Sequence, residues 1–153
     1  MKSHIVLDDI DKVLLRQLQI DGRTSYAEMG EMVALTPPAV RARIQKMKEL
    51  GILQIVAVTD PIALGYSEAS IIGIRVDGDA EEVADLVAQI PNVVYMVMSV
   101  GGYDLIAELV CVDRDEFSEL FHKRIRQIPG VRSADAFPYT RIHTHRFSWG
   151  VPQ

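Results

Sequence analysis

The chain has 153 residues, enough for one domain or two small ones, and 48% of them are hydrophobic, enough to bury a core. No apolar run approaches the roughly 18 residues that span a bilayer, the N-terminus lacks a signal peptide's apolar stretch, and the single Cys111 excludes an internal disulfide. A soluble, cytoplasmic protein without a membrane partner is expected. The formal charge of −5 is uneven: residues 1–60 hold eight basic and eight acidic residues, residues 61–153 eight and thirteen. This split argues for two jobs on one chain.

Asp8 or Asp9 can cap a first helix running to about Asp21, with Ile10, Val13, Leu14 and Leu18 along one stripe and Gly22 ending it. Ser25 and Glu28 have the spacing of a capping box for a short second helix, whose buried face is Tyr26, Met29 and Val33. A third helix takes Thr36 as cap and Pro37 as first residue, where a missing N–H costs nothing. Gly51 closes it. Three short helices with a tight second connection predict a helix-turn-helix over residues 1–53.

The third helix carries Arg41, Arg43, Lys46 and Lys48 with no acid before Glu49. At 100° per residue, Val40, Ile44 and Met47 fall in one arc, the core side. Opposite lie Pro38, Ala42, Gln45 and Glu49, flanked by Arg41 and Lys46, while Arg43 sits nearer the core edge. A small residue, an amide suited to a base edge, and flanking cations suited to phosphates are what a major-groove helix needs. The helix N-terminus also favours a phosphate. Thr36, Pro38, Arg41, Ala42, Arg43, Gln45 and Lys46 are therefore the candidate contacts to double-stranded DNA. The plain alternative is a solvated basic face.

After Gly51, ILQIVAV reads as a strand, either a short wing or the link into a connector; the strand and linker occupy residues 54–66, with Asp60-Pro61 and Gly65 as punctuation. Residues 67–153 then give a strand in SEASIIGIRVD, a helix over Glu81–Ile90 with Val83, Leu86, Val87 and Ile90 inside, and two strands, VVYMVM and LIAELVCV, apolar on both faces. A second helix over Glu116–Ile128 follows, with Phe117, Leu120, Phe121, Ile125 and Ile128 inside, and a last strand in SADAFPYTRIHTHRF. Gln89-Ile-Pro-Asn-Val93 returns as Gln127-Ile-Pro-Gly-Val131, each copy after a helix and before a strand. The fold class is thus α+β, a three-helix, plain or winged helix-turn-helix followed by a ferredoxin-like βαββαβ domain. Its sheet has helices on one face only, so a large apolar face would stay bare in a monomer; a second copy covering it predicts a two-fold dimer.

Together these stretches resemble the Lrp/AsnC, or feast/famine, transcriptional regulators over almost the whole chain. LDDIDKVLLRQLQIDGR (7–23) resembles the family's opening helix. Leu35-Thr36, Val40, Arg43-Ile44 and Gly51-Ile52-Leu53 resemble its recognition-helix pattern, DPIALGY (60–66) its linker and VGGYDL (100–105) its effector-domain turn. Met47 stands where the family usually has Leu, and Pro38 where a small hydroxyl residue is common. The resemblance implies DNA binding, a C-terminal domain that dimerises and builds octameric or similar assemblies, and an amino-acid effector instead of a cofactor. It also implies that Thr140, and less directly His143, join the effector pocket from the last strand.

Gly101-Gly102 permits a tight turn that bares backbone N–H groups for a carboxylate, and Asp104 is placed to receive an α-amino group. With Tyr103 these residues are the candidate effector turn, or merely a hairpin turn. His143 and His145 share one strand face as some metal ligands do, but no Cys or acid stands at matching spacing and His4 and His122 are distant, so no metal site is expected. Cys111 reads as a packed core thiol. Glu108 marks an interface or ligand contact, or faces solvent at an edge, and Trp149 is expected to pack against a neighbouring subunit or the tail. No nucleophile–base pair or phosphate-binding glycine loop supports an enzyme. The alternative to a regulator is a small ferredoxin-like ligand-binding or enzymatic module with a helical appendage.

Overall fold

The computed structural model describes residues 7–144 and 150–151. It divides into two compact units, one reaching Ala57 and taking in residues from Thr144 onward, the other spanning Val58–His143. The first unit is all helical. Helix α1 (Asp9–Ile20) starts where Asp8 accepts a hydrogen bond from the Asp11 N–H. Helix α2 (Tyr26–Val33) opens on the full capping box, with Glu28 N–H on Ser25 Oγ and Ser25 N–H on Glu28 Oε2. Helix α3 (Pro37–Glu49) begins with two prolines. The core is Leu14, Leu15, Leu18, Met29, Val40, Ile44 and Met47.

The core stripe expected of α3 is buried as a set. Two other assignments differ. Tyr26 occupies the first position of α2 and is exposed, while Leu15, absent from the expected stripe, is buried where Val13 is only half-buried. The ILQIVAV segment forms no strand: among the described residues it pairs with no other segment, and Ile55, Val56 and Val58 stay exposed. Strand propensity without a partner strand does not make a ladder.

In the second unit, β1 (Glu68–Val76), β2 (Val93–Met98), β3 (Leu105–Cys111) and β4 (Val131–Pro138) form one antiparallel sheet in the order β2-β3-β1-β4. This is the split βαβ arrangement, with α4 (Ala80–Ala88) joining β1 to β2 and α5 (Arg114–Glu119) leading from β3 towards β4. Helix α5 begins two residues before the expected start, on an Asp113 cap, and continues into a π-turn over Leu120–Arg124 and a 3-10 turn over Ile125–Gln127. The wider turn suits the four-residue spacing of Phe117, Phe121 and Ile125. Phe117 and Phe121 stack at 5.6 Å, and Ile125 is buried. Leu86 of α4, expected inside, is partly exposed.

The internal echo makes a four-residue turn twice, closed by the same bond but with different backbone conformations. Val93 N–H bonds Ile90 O at 2.9 Å and Val131 N–H bonds Ile128 O at 3.0 Å, each across a proline. The second copy has Gly130 at φ +90°, the third position of a type II turn, which favours glycine; Asn92 in the first copy has no positive φ and so makes the other kind of turn.

Register fixes the two sheet faces. Ile72, Ala107 and Ala136 align on the helix side, as do Ile74, Leu105 and Ala134. Ile71, Glu108, Tyr95 and Phe137 align on the open side. Being apolar on both faces, VVYMVM reads as a buried strand; β2 lies instead at the sheet edge, with Val94, Tyr95 and Met98 exposed. The open face is also less uniformly apolar than expected. It carries an Arg75–Asp135 ion pair and a Tyr139 hydroxyl that donates to Glu108. Burial, then Glu108, pushes the Tyr139 pKa upward. Cys111 is a core thiol, its pKa pushed up to about 11 by burial.

Candidate nucleic-acid interface and effector turn

The outward face of α3 follows from its buried one. Pro38, Arg41, Ala42, Gln45, Lys46 and Glu49 are exposed, and Gln45 Nε2 donates to Glu49 Oε1 at 3.0 Å, one helical turn on. Arg41 and Lys46 flank this face. Thr36 occupies the cap position, with extended φ and ψ, but its side chain makes no cap hydrogen bond. Pro37 and Pro38 carry no N–H, so the first turn offers a single donor, that of Ala39, and the Thr36 side chain does not take it. The helix start is therefore a poorer phosphate cradle than most.

Arg43 stands apart from its neighbours. Its Nη1 donates to Asp8 Oδ2 at 2.6 Å and to Asp11 Oδ1 at 2.8 Å. These bonds raise the guanidinium pKa, while the Asp11 N–H first, and Arg43 second, hold the Asp8 carboxyl below its ordinary range. Asp8 was legible only as a cap, and no local signal ties it to a residue 35 positions away.

In the second unit the turn after β2 is held tightly. Ser99 N–H bonds Asp104 O at 2.8 Å and Ser99 Oγ donates to Tyr103 O at 2.6 Å. Gly101 takes φ +152°, and an added Cβ on Gly102 would meet nothing within 4 Å. Asp104 Oδ2 accepts the Val76 N–H at 2.7 Å, beside the register shift between Arg75 and Val76. One carboxylate oxygen thus holds the backbone, and Oδ1 takes no hydrogen bond among the described residues.

Tyr103 lies flat on β1: a Cβ on Gly73 would stand 2.6–2.8 Å from its ring. Its hydroxyl donates to Asp135 Oδ2 at 3.1 Å, and the Arg75 guanidinium sits 4.3 Å from its ring centroid while pairing with the same carboxylate at 2.8 Å. Arg75 first, then Tyr103, lowers the Asp135 pKa. Arg75 also donates to Ser133 Oγ at 3.2 Å, and none of Arg75, Ser133 and Asp135 is a sequence candidate. The glycine inside a strand was the available sign of a close approach.

Thr140 and His143 follow β4 instead of lying within it, because the strand ends at Pro138. His145 and Trp149 fall outside the described residues. Among the described residues no three His, Cys, Asp or Glu side chains gather as metal ligands, and no helix is long and apolar enough to cross a membrane.

A three-helix reader and a ferredoxin-like unit with one open sheet face define the class of two-part, helix-turn-helix regulators, and the comparisons agree. Residues 7–48 match the AsnC-type helix-turn-helix domain, and residues 66–152 match a C-terminal dimeric alpha+beta barrel domain. The HTH-type transcriptional regulator FL11 of Pyrococcus horikoshii is 31% identical over 141 residues, covering 91% of this chain and 93% of that one. Among solved structures, the leucine response regulatory protein of Mycobacterium tuberculosis has a TM-score of 0.86 at 22% identity, over 95% of this chain and all of that one. A Neisseria meningitidis transcriptional regulator, solved as a complex with L-Met, has a TM-score of 0.80 at 24% identity, over 96% and 97%. The chain belongs to the Lrp/AsnC family of transcriptional regulators. Its helix-turn-helix makes it a DNA binder, and its second unit is of a self-associating kind.

Proposed function

We propose that this regulator reads a specific DNA sequence with the outward face of α3 and changes its DNA occupancy when an amino acid binds at the 99–104 turn. The observation that carries the DNA reading is the α3 face itself, Ala42 and Gln45 between two exposed cations, above a fully buried stripe. Gln45→Ala is expected to relax preference at one base position, costing about 1–3 kcal/mol there. Lys46→Ala should weaken binding to all sequences alike. Both are measured by titrating the protein's own upstream DNA and a scrambled fragment at several salt concentrations. Wild-type affinity and discrimination in both variants would put the reading face elsewhere.

The effector reading rests on the turn's chemistry, a Gly101-Gly102 backbone beside a carboxylate with one oxygen free, and on the L-Met bound to the Neisseria relative. An α-carboxylate would take the backbone N–H groups and an α-ammonium Asp104 Oδ1, with Tyr103, Thr140 and His143 as further candidates. Gly102→Val enters open space in this chain, so it should fold and bind DNA normally while losing the amino-acid response. An unchanged response to every amino acid that acts on the wild type would move the pocket. A second copy is proposed to cover the open sheet face, with dimers assembling further into octamers or similar assemblies. The cytoplasm, where DNA and free amino acids meet, is its proposed place of work.

A further inference from the structure

By the 100° helical step, Arg43 lies about 60° around α3 from Val40, at the border between its buried and outward faces. There it donates through one Nη1 to two carboxylates of the α1 start. Asp8 also uses its other oxygen to cap α1. One side chain thus begins the first helix and grips the middle of the third. Beyond the turn that joins it to α2, the rest of α3's packing in that unit is by apolar side chains, whose attraction is non-directional and tolerates some rotation of a helix about its axis. Charge-assisted hydrogen bonds are directional and do not. Side chains stand about 5–6 Å from a helix axis. A rotation of some 30° would therefore move Gln45 by about 3 Å, the length of a hydrogen bond.

We propose that the Asp8–Arg43–Asp11 cluster sets the rotation of α3, so that Arg43 governs sequence discrimination as a positioning residue without touching DNA. The proposal rests on the DNA-reading role given to α3 above. Asp11 is the more shielded acid, its side chain 18% exposed against 52% for Asp8, and so holds its bridge better against salt.

The sign of one substitution separates this from plain electrostatics. Asp11→Asn removes a negative charge near the DNA-facing helix, so a purely electrostatic acid would, once removed, strengthen binding to every sequence equally. Positioning predicts that the ratio of affinities for upstream over scrambled DNA falls at least tenfold. The full chain, with Asp11→Asn, Arg43→Gln and Arg43→Lys, is titrated against both fragments across a salt series, with circular dichroism to confirm folding. The expected result is a lost ratio in Asp11→Asn and Arg43→Gln, with the salt slope of Arg43→Gln unchanged. Arg43→Lys keeps a charge but not a two-carboxylate grip, should lose part of the ratio, and carries the test if Arg43→Gln does not fold. A salt slope lower by about one in Arg43→Gln, with both DNAs weakened alike, would make Arg43 a phosphate contact and overturn the proposal; so would an unchanged ratio in Asp11→Asn. Wild-type protein that binds neither fragment at low salt would instead remove the DNA reading on which the proposal stands.

Discussion

Gly30→Ala is expected to destabilise the helix-turn-helix unit by about 2–3 kcal/mol, against the usual sign of such a change. In a helix interior, alanine is ordinarily favoured over glycine by about 1 kcal/mol. Here the added Cβ would run into the Leu35 carbonyl oxygen. That oxygen cannot easily yield, because Leu35 N–H bonds Gly30 O at 3.0 Å and so holds the chain against the helix. Overpacking against fixed backbone costs about 1–3 kcal/mol, and the lost turn geometry adds to it. The neighbouring Ala34 has the converse problem: it sits at φ 53° and ψ 43°, a left-handed conformation that favours glycine. Ala34→Gly should therefore stabilise by about 1 kcal/mol. Urea titrations followed by circular dichroism measure both. Since the turn sets α3 against α2, Gly30→Ala should also lose specific DNA binding. A Gly30→Ala protein as stable as the wild type would mean the turn opens without cost.

Asp104→Ala and Asp104→Asn are expected to part company. The alanine strips the Val76 N–H of its acceptor at the bulge, and a half-buried donor left without a partner costs about 1–3 kcal/mol. The asparagine keeps an oxygen there and should cost under about 1 kcal/mol. Their effect on the amino-acid response distinguishes two roles for one side chain. If Asp104 serves only the bulge, Asp104→Asn responds like the wild type. If its second oxygen receives an ammonium group, Asp104→Asn stays folded, binds DNA and loses the response. Melting curves with and without the amino acid read both outcomes. Equal stability of Asp104→Ala and wild type would show that the bulge does not depend on the carboxylate.

Local chemistry was legible in the sequence wherever a residue's partner lies within a few positions. The Ser25–Glu28 box, the Val40–Ile44–Met47 stripe and the twice-used Ile-Pro turn are all of this kind. The strand–helix–strand order read from the repeat gives the observed β2-β3-β1-β4 sheet. Hidden features depend on distant residues or on backbone detail. Arg43 was placed near the core edge, yet its carboxylate partners lie 32 and 35 residues earlier. The π-turn after α5 changes no residue in the apolar pattern, so periodicity cannot register it. The ILQIVAV run has the composition of a strand, and composition does not supply a partner. At the candidate interface, exposure of Arg41, Gln45 and Lys46 followed from the helical step alone. The Tyr103–Arg75–Asp135 cluster required the sheet register, which no short motif encodes.

The chain's late return to its first unit has a mechanical side. Gln19 Nε2 donates to Gly150 O at 3.2 Å, and Val151 packs onto the core made by α1, α2 and α3. The polypeptide therefore passes between the units twice, after Ala57 and again after His143. A protease cut within the first crossing would leave the two units joined through the second, so the fragments would part only after a further cut.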